Sequence, residues 1–144
     1  MASFKVTGGC LCGGVQYEYT EKPLYMLNCH CTMCRRLMGA SYGSFVGVNS
    51  KALKMLKDST MKIYESSEAV QRCFCGTCGG NIMDKIKSDP DMVWLAAGGI
   101  SGDPGIALQG HIFTNYKAPW ITLNDGLPSS GEAELFTQLT NKQL

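Results

Sequence analysis

The chain has 144 residues, enough for one modest core and short of two independent ones. Hydrophobic residues make up 44% and charged residues 17%, which excludes a wholly disordered chain. Lys and Arg number 13 against 12 Asp and Glu, so a net charge of +1 gives no nucleic-acid footprint, and no apolar run nears the roughly 18 residues of a membrane span.

The segment from Met1 to Thr7 has no apolar stretch of the kind a secretory signal carries, so a cytoplasmic protein is expected. Val15, Tyr17 and Tyr19 alternate with Gln16 and Glu18, which is strand period. Ser44 to Val48 is rich in β-formers. Asn49 or Ser50 is positioned to cap a short helix over Lys51 to Lys57, with Leu53 and Leu56 three apart. Alternation returns over Met61 to Glu65 and again at Val70, Arg72 and Phe74, and Gly79 and Gly80 lead into a segment beginning at Asn81. Met92 to Ala97 reads as a buried strand ended by Gly98 and Gly99. His111 to Thr114 is a short further strand, and Glu132 to Leu139 offers one or two helical turns. The expectation is a mainly β protein with few short helices. A single domain over residues 1–128 is expected, with residues 129–144 as a tail that is loosely ordered or a short helix.

Eight cysteines fall in three short groups. In a reducing compartment thiols stay reduced unless a metal claims them, so clustering points to metal rather than to disulfides or scattered core cysteine. In a strand, Cys10 and Cys12 face the same side and present two sulfurs together. Cys31 with Cys34, and Cys75 with Cys78, have the spacing of a tight knuckle, with Gly76 and Gly79 supplying unusual backbone angles at the second. The simplest assembly joins Cys10, Cys12, Cys75 and Cys78 around a structural zinc. Cys29, Cys31 and Cys34 then form a second group, three thiolates that leave a zinc position open. A zinc held by three thiolates is net negative and favours basic neighbours, and Arg35 and Arg36 follow directly.

Three segments together, Gly9 to Tyr17, Cys29 to Arg36 and Phe74 to Gly79, resemble the family of glutathione-dependent formaldehyde-activating enzymes and centromere protein V. His111 to Phe113, Pro119 and Trp120, and Asp125 to Pro128 also resemble it. The resemblance runs over roughly residues 4–128, the length of one domain. It implies a zinc-stapled β-sandwich or folded sheet, similar to a small Rab-binding chaperone of the Mss-four type. It implies two Zn2+ per chain, with Cys10, Cys12, Cys75 and Cys78 as the structural set. Cys29, Cys31 and Cys34 are the set at which glutathione or a thiol adduct engages, and the family is classed with carbon–sulfur lyases.

The expected activity is therefore cleavage or formation of a C–S bond in a glutathione or small-thiol adduct, such as an aldehyde hemithioacetal, with Arg35 and Arg36, and also Arg72, as carboxylate partners. The competing readings are a zinc-stabilised binding module of the same fold without catalysis, and a metal or redox buffer. No nucleic acid or membrane partner is expected, and a homodimer is left open. His30 reads either as a donor beside the second zinc or as a solvent-facing residue. His111 reads as a satisfied core histidine against a direct role. Phe113, Tyr116 and Trp120 are candidates to line a pocket. Cys73 departs from the family pattern. It is open to three roles, a fourth ligand for Cys29, Cys31 and Cys34, a free thiol near them, or a buried core thiol, and the last is favoured.

Overall fold

The computed structural model describes residues 3–144. Ten strands fall in two sheets, with two α-helices of seven residues each. In chain order they are β1 (Val6–Gly9), β2 (Gln16–Tyr19), β3 (Tyr25–Cys29), α1 (Thr32–Met38), β4 (Gly43–Asn49), β5 (Leu53–Lys57), β6 (Met61–Glu65), β7 (Val70–Cys75), β8 (Asn81–Ile86), β9 (Met92–Ala96), β10 (Gly110–Ile112) and α2 (Glu134–Thr140). The mainly β class expected from the alternation is what the chain adopts. It divides into two compact units, one holding residues 3–24 and 46–106, the other residues 25–45 and 107–144.

In the first unit β1, β2 and β5 make a three-stranded antiparallel sheet with β2 in the middle. Tyr17 and Tyr19 of β2 point into the core and are 1% and 0% exposed. Gly8 has to be glycine, because a Cβ there would come within 2.4 Å of the Tyr17 hydroxyl. Strands β6 to β9 follow as an antiparallel meander, and β9 is buried along its whole length, as a continuous apolar run requires. Arg72 and Asp84 face each other across β7 and β8 at 2.5 Å, and Arg72 Nε donates to Ser66 Oγ. Arg72 is thus a buried structural cation of the first unit.

The helix expected over Lys51 to Lys57 is a correction. Asn49 does cap, accepting from the Lys51 amide at 3.0 Å, but only a 3-10 turn over Ser50–Ala52 follows. The chain then runs on as β5, with Leu53 opposite Tyr19 and Met55 opposite Tyr17. Leu53 and Met55 alternate at period two with exposed Lys54 and Leu56, and pairing with β2 prevails over the three-residue spacing of Leu53 and Leu56.

In the second unit β3 and β10 pair in parallel, aligning Leu27 with Gly110, Asn28 with His111 and Cys29 with Ile112. Helix α2 packs on this pair. Gly110 permits that approach, since a Cβ there would meet Leu135 Cδ2 at 2.5 Å. Helix α1 ends at Gly39, which takes the left-handed conformation at φ 60°.

The buried Tyr17 hydroxyl has no hydrogen-bond partner. A buried polar group without a partner carries an uncompensated desolvation cost of about 1–3 kcal/mol. Tyr17→Phe is therefore expected to leave stability in urea unchanged or raise it by about 1 kcal/mol. A clear loss of stability would show that the hydroxyl is bonded.

Candidate metal centres

The first cysteine group is delivered by two turns of the first unit. Cys10 and Cys12 sit in the turn between β1 and β2, not within a strand as the C-x-C spacing suggested. That turn is closed by the Cys10 amide donating to Val15 O and the Gly13 amide to Cys10 O, with Gly13 at φ 80°. Leu11 is thrown outward and is 94% exposed, while the two sulfurs converge to 3.7 Å. Cys75 ends β7 and Cys78 lies in the turn before β8. Here the Gly79 amide donates to Cys75 O, and Gly79 takes φ 77°. Gly76 has another role: a Cβ there would meet the Lys62 side chain at 2.6 Å.

The four sulfurs lie within 4.8 Å of one another. Cys12 Sγ to Cys75 Sγ is 3.7 Å. A zinc tetrahedron with Zn–S of about 2.3 Å has an S–S edge of about 3.8 Å, and the Cys10–Cys12 and Cys12–Cys75 distances match that edge. Its surroundings favour the thiolate at Cys75 and Cys78, whereas the Cys12 thiol, in spite of a hydrogen bond from the Gly14 backbone, is pushed up to about 11 by its hydrogen bonds with Cys10 and Cys75. The Thr60 hydroxyl, 3.3 Å from Cys75 Sγ, and the Cys78 amide hold the Cys75 thiol down to about 6. Hydrogen bonding from the Cys12 backbone likewise lowers Cys78.

The second group lies wholly in the second unit. Cys29 ends β3, Cys31 caps α1 and Cys34 is in its first turn, so the C-x-x-C spacing is a helix cap in which Cys31 Sγ accepts from the Cys34 amide at 3.3 Å. The three sulfurs also lie within 4.8 Å of one another. Cys29 and Cys34 are buried and Cys31 is half-buried. Sulfhydryl donation from Cys29 and then Cys34 pushes Cys31 strongly down, and donation to Cys31 and Cys34 together with burial pushes Cys29 up. One thiolate is thus favoured even before a cation gathers the rest. Both groups can hold a metal ion.

Cys73 belongs to neither group. It lies in the first unit, on β7 between Ile63 and Met83, and burial raises its thiol pKa.

Arg35 and Arg36 lie on α1. With Thr32, Ser41 and Trp120 they line an open cleft of about 460 Å³. The Arg35 guanidinium stands 5.4 Å over the Trp120 ring and donates to Tyr116 O, while its Nε has no partner. Trp120 is 66% exposed and its indole N–H donates to Ser41 Oγ. Of the three aromatic candidates Trp120 lines the cleft, Tyr116 contributes its carbonyl to Arg35, and Phe113 adopts a left-handed backbone at φ 57°.

His30 is fully buried, which removes the solvent-facing reading. Burial, with His111 next to it, holds its ring neutral and pushes its pKa down to about 4. His30 Nε2 lies 3.0 Å from His111 Nδ1, and His111 Nε2 lies 2.7 Å from Asp125 Oδ2. Reading the sequence missed Asp125 as a partner. Its segment, Asp125 to Pro128, carries the family resemblance and the composition of a turn, and neither points to His111.

A mainly β chain with a four-cysteine and a three-cysteine group defines the class of protein. The family described as glutathione-dependent formaldehyde-activating enzyme (GFA) matches residues 5–116, and the chain belongs to that family. In fold it is similar to the crystal structure of a Rhodobacter sphaeroides protein, with a TM-score of 0.56 at 22% identity, covering 67% of this chain and 89% of that one.

Cys12→Ser or Cys75→Ser is expected to give insoluble or molten protein, because the four sulfurs join turns 63 residues apart and metal binding there is folding free energy. A variant that melts like the parent would refute the four-sulfur pairing. Cys73→Ala, by contrast, is expected to retain the parent's zinc content after mild chelation. Loss of one zinc equivalent would make Cys73 a ligand.

Proposed function

We propose that this protein is a zinc-dependent enzyme of the carbon–sulfur lyase type, acting on a glutathione or other thiol adduct at Cys29, Cys31 and Cys34. The observation that carries the reading is a group of three sulfurs within 4.8 Å of one another, where β3 leads into the helix whose Arg35 and Arg36 line a cleft. In the same proposal a structural zinc is held by Cys10, Cys12, Cys75 and Cys78, giving two zinc ions per chain.

Zinc held by three thiolates supplies a Lewis acid with an open position for a sulfur ligand. The chain's own residues supply the rest. Arg36 is exposed on α1 and offers a guanidinium to a substrate carboxylate. Arg35 is fixed by Trp120 and the Tyr116 carbonyl, so its remaining N–H groups face a defined direction with little ordering cost. Trp120 and Ser41 present an apolar face and a hydroxyl on the other wall of the cleft. In a hemithioacetal the C–S bond breaks with its electron pair going to sulfur. The adduct's hydroxyl loses its proton, and thiol and aldehyde result.

A reducing compartment suits both cysteine groups, since their thiols there remain available to metal. Among the described residues no helix is long and apolar enough to cross a membrane.

Cys34→Ser tests the proposal. The three cysteines are local in sequence and close no long loop, so the variant is expected to fold. Calorimetric titration with glutathione should show binding to the parent and a loss of about tenfold or more in the variant, the usual scale for damage to a metal site. Equal affinity in the two proteins would remove the three-cysteine site from the function.

A further inference from the structure

Asp125, His111 and His30 form a hydrogen-bond chain that crosses the second unit from solvent to core. The Asp125 side chain is 41% exposed and that of His111 3%, while His30 is 0% exposed. The two links are 2.7 Å and 3.0 Å.

The chemistry of the three groups gives the chain one direction. An ionised carboxylate only accepts, so His111 Nε2 carries the hydrogen it donates to Asp125. In the neutral ring His111 Nδ1 is then an acceptor, and it takes the Nε2 hydrogen of His30. The opposite sense would need a hydrogen on both nitrogens of His111. His30 Nε2 would become an acceptor, and in a neutral His30 the hydrogen would move to Nδ1. That atom is buried and has no hydrogen-bond partner among the described residues. An orphaned buried N–H is rarer and costlier than an orphaned acceptor. Both rings therefore carry their hydrogen on Nε2.

His30 is also held by its backbone. Its amide donates to Ile112 O at 3.0 Å, and Ile112 is aligned with Cys29 in the pairing of β3 and β10. The residue between Cys29 and Cys31 is thus gripped at main chain and side chain by the same short strand. Rotation of His30 about its backbone would carry both neighbouring sulfurs with it. Asp125, from the irregular segment between β10 and α2, fixes the ring that fixes His30.

We infer that Asp125 and His111 are positioning residues for the Cys29, Cys31 and Cys34 group, acting through His30 on the turn that holds Cys29 and Cys31. This rests on the reading of that group as a zinc site.

The test uses the full chain loaded with zinc and has two readouts. Long-range proton–nitrogen spectra of the parent should show the hydrogen of His111 and that of His30 on Nε2. Release of zinc to a chelator should resolve two equivalents. Asp125→Ala is expected to speed release of one equivalent by about tenfold and leave the other unchanged, the scale seen when outer partners of a metal site are removed. It should also disturb the His111 tautomer. Asp125→Asn keeps an acceptor oxygen and should restore the parental spectrum and a release rate within about threefold of the parent.

Two zincs released at parental rates from Asp125→Ala overturn the positioning role alone, as does equal acceleration of both. So does a parent spectrum with the His111 hydrogen on Nδ1. A parent that binds a single zinc overturns the three-cysteine reading itself, and the positioning role with it.

Discussion

Thiolates repel, and sulfurs gathered within 4.8 Å of one another demand a cation or protons between them. Most of what is distinctive in this chain serves that demand. In the first unit four sulfurs are brought in by two tight turns, each closed by a backbone hydrogen bond and each using a glycine at positive φ, Gly13 in one and Gly79 in the other. The strands they end, β1 and β7, bring no ligand from their own surfaces other than Cys75 at the end of β7. Their part is to place two loops side by side. A divalent cation there would turn mutual repulsion into a cross-link between distant turns, and its binding free energy would add to folding.

The second group is built differently, and the contrast bears on function. Cys29, Cys31 and Cys34 span six residues and need no distant partner. A strand end, a helix cap and the first helical turn suffice. What the tertiary structure adds is the setting. Helix α1 carries Arg35 and Arg36 to a cleft walled by Trp120, and β10 brings His111 against His30. Three sulfurs with charged, partly exposed neighbours suit exchange of a sulfur ligand better than a closed four-sulfur set would.

Where residue reading and structure part, the cause is pairing at a distance. Leu53 and Leu56 have helical spacing, yet β2 presents Tyr17 and Tyr19 to β5 and takes up Leu53 and Met55 instead. The C-x-C spacing of Cys10 and Cys12 suits a strand, yet the pair sits in a turn because the chain must reverse between β1 and β2. Sulfurs two residues apart converge equally well in a turn, so their convergence was legible from a mistaken backbone. Arg72, an arginine like Arg35 by sequence alone, is buried against Asp84.

Cysteine spacing by itself made the two sulfur groups legible, because a C-x-x-C or C-x-C brings its sulfurs together over any chain that can turn locally. Alternation by itself determined the β class, since a period of two is a property of the extended backbone. Family membership likewise followed from short motifs in order along the chain. Only the tertiary structure decided that Cys73 lies in the unit without the three-cysteine group, that Trp120 meets Arg35, and that Asp125 and His111 reach His30. These relations join residues tens of positions apart through strand register and loop course. No local pattern records them, because each residue type is equally at home on a surface, in a core or in a turn until its partner is in place.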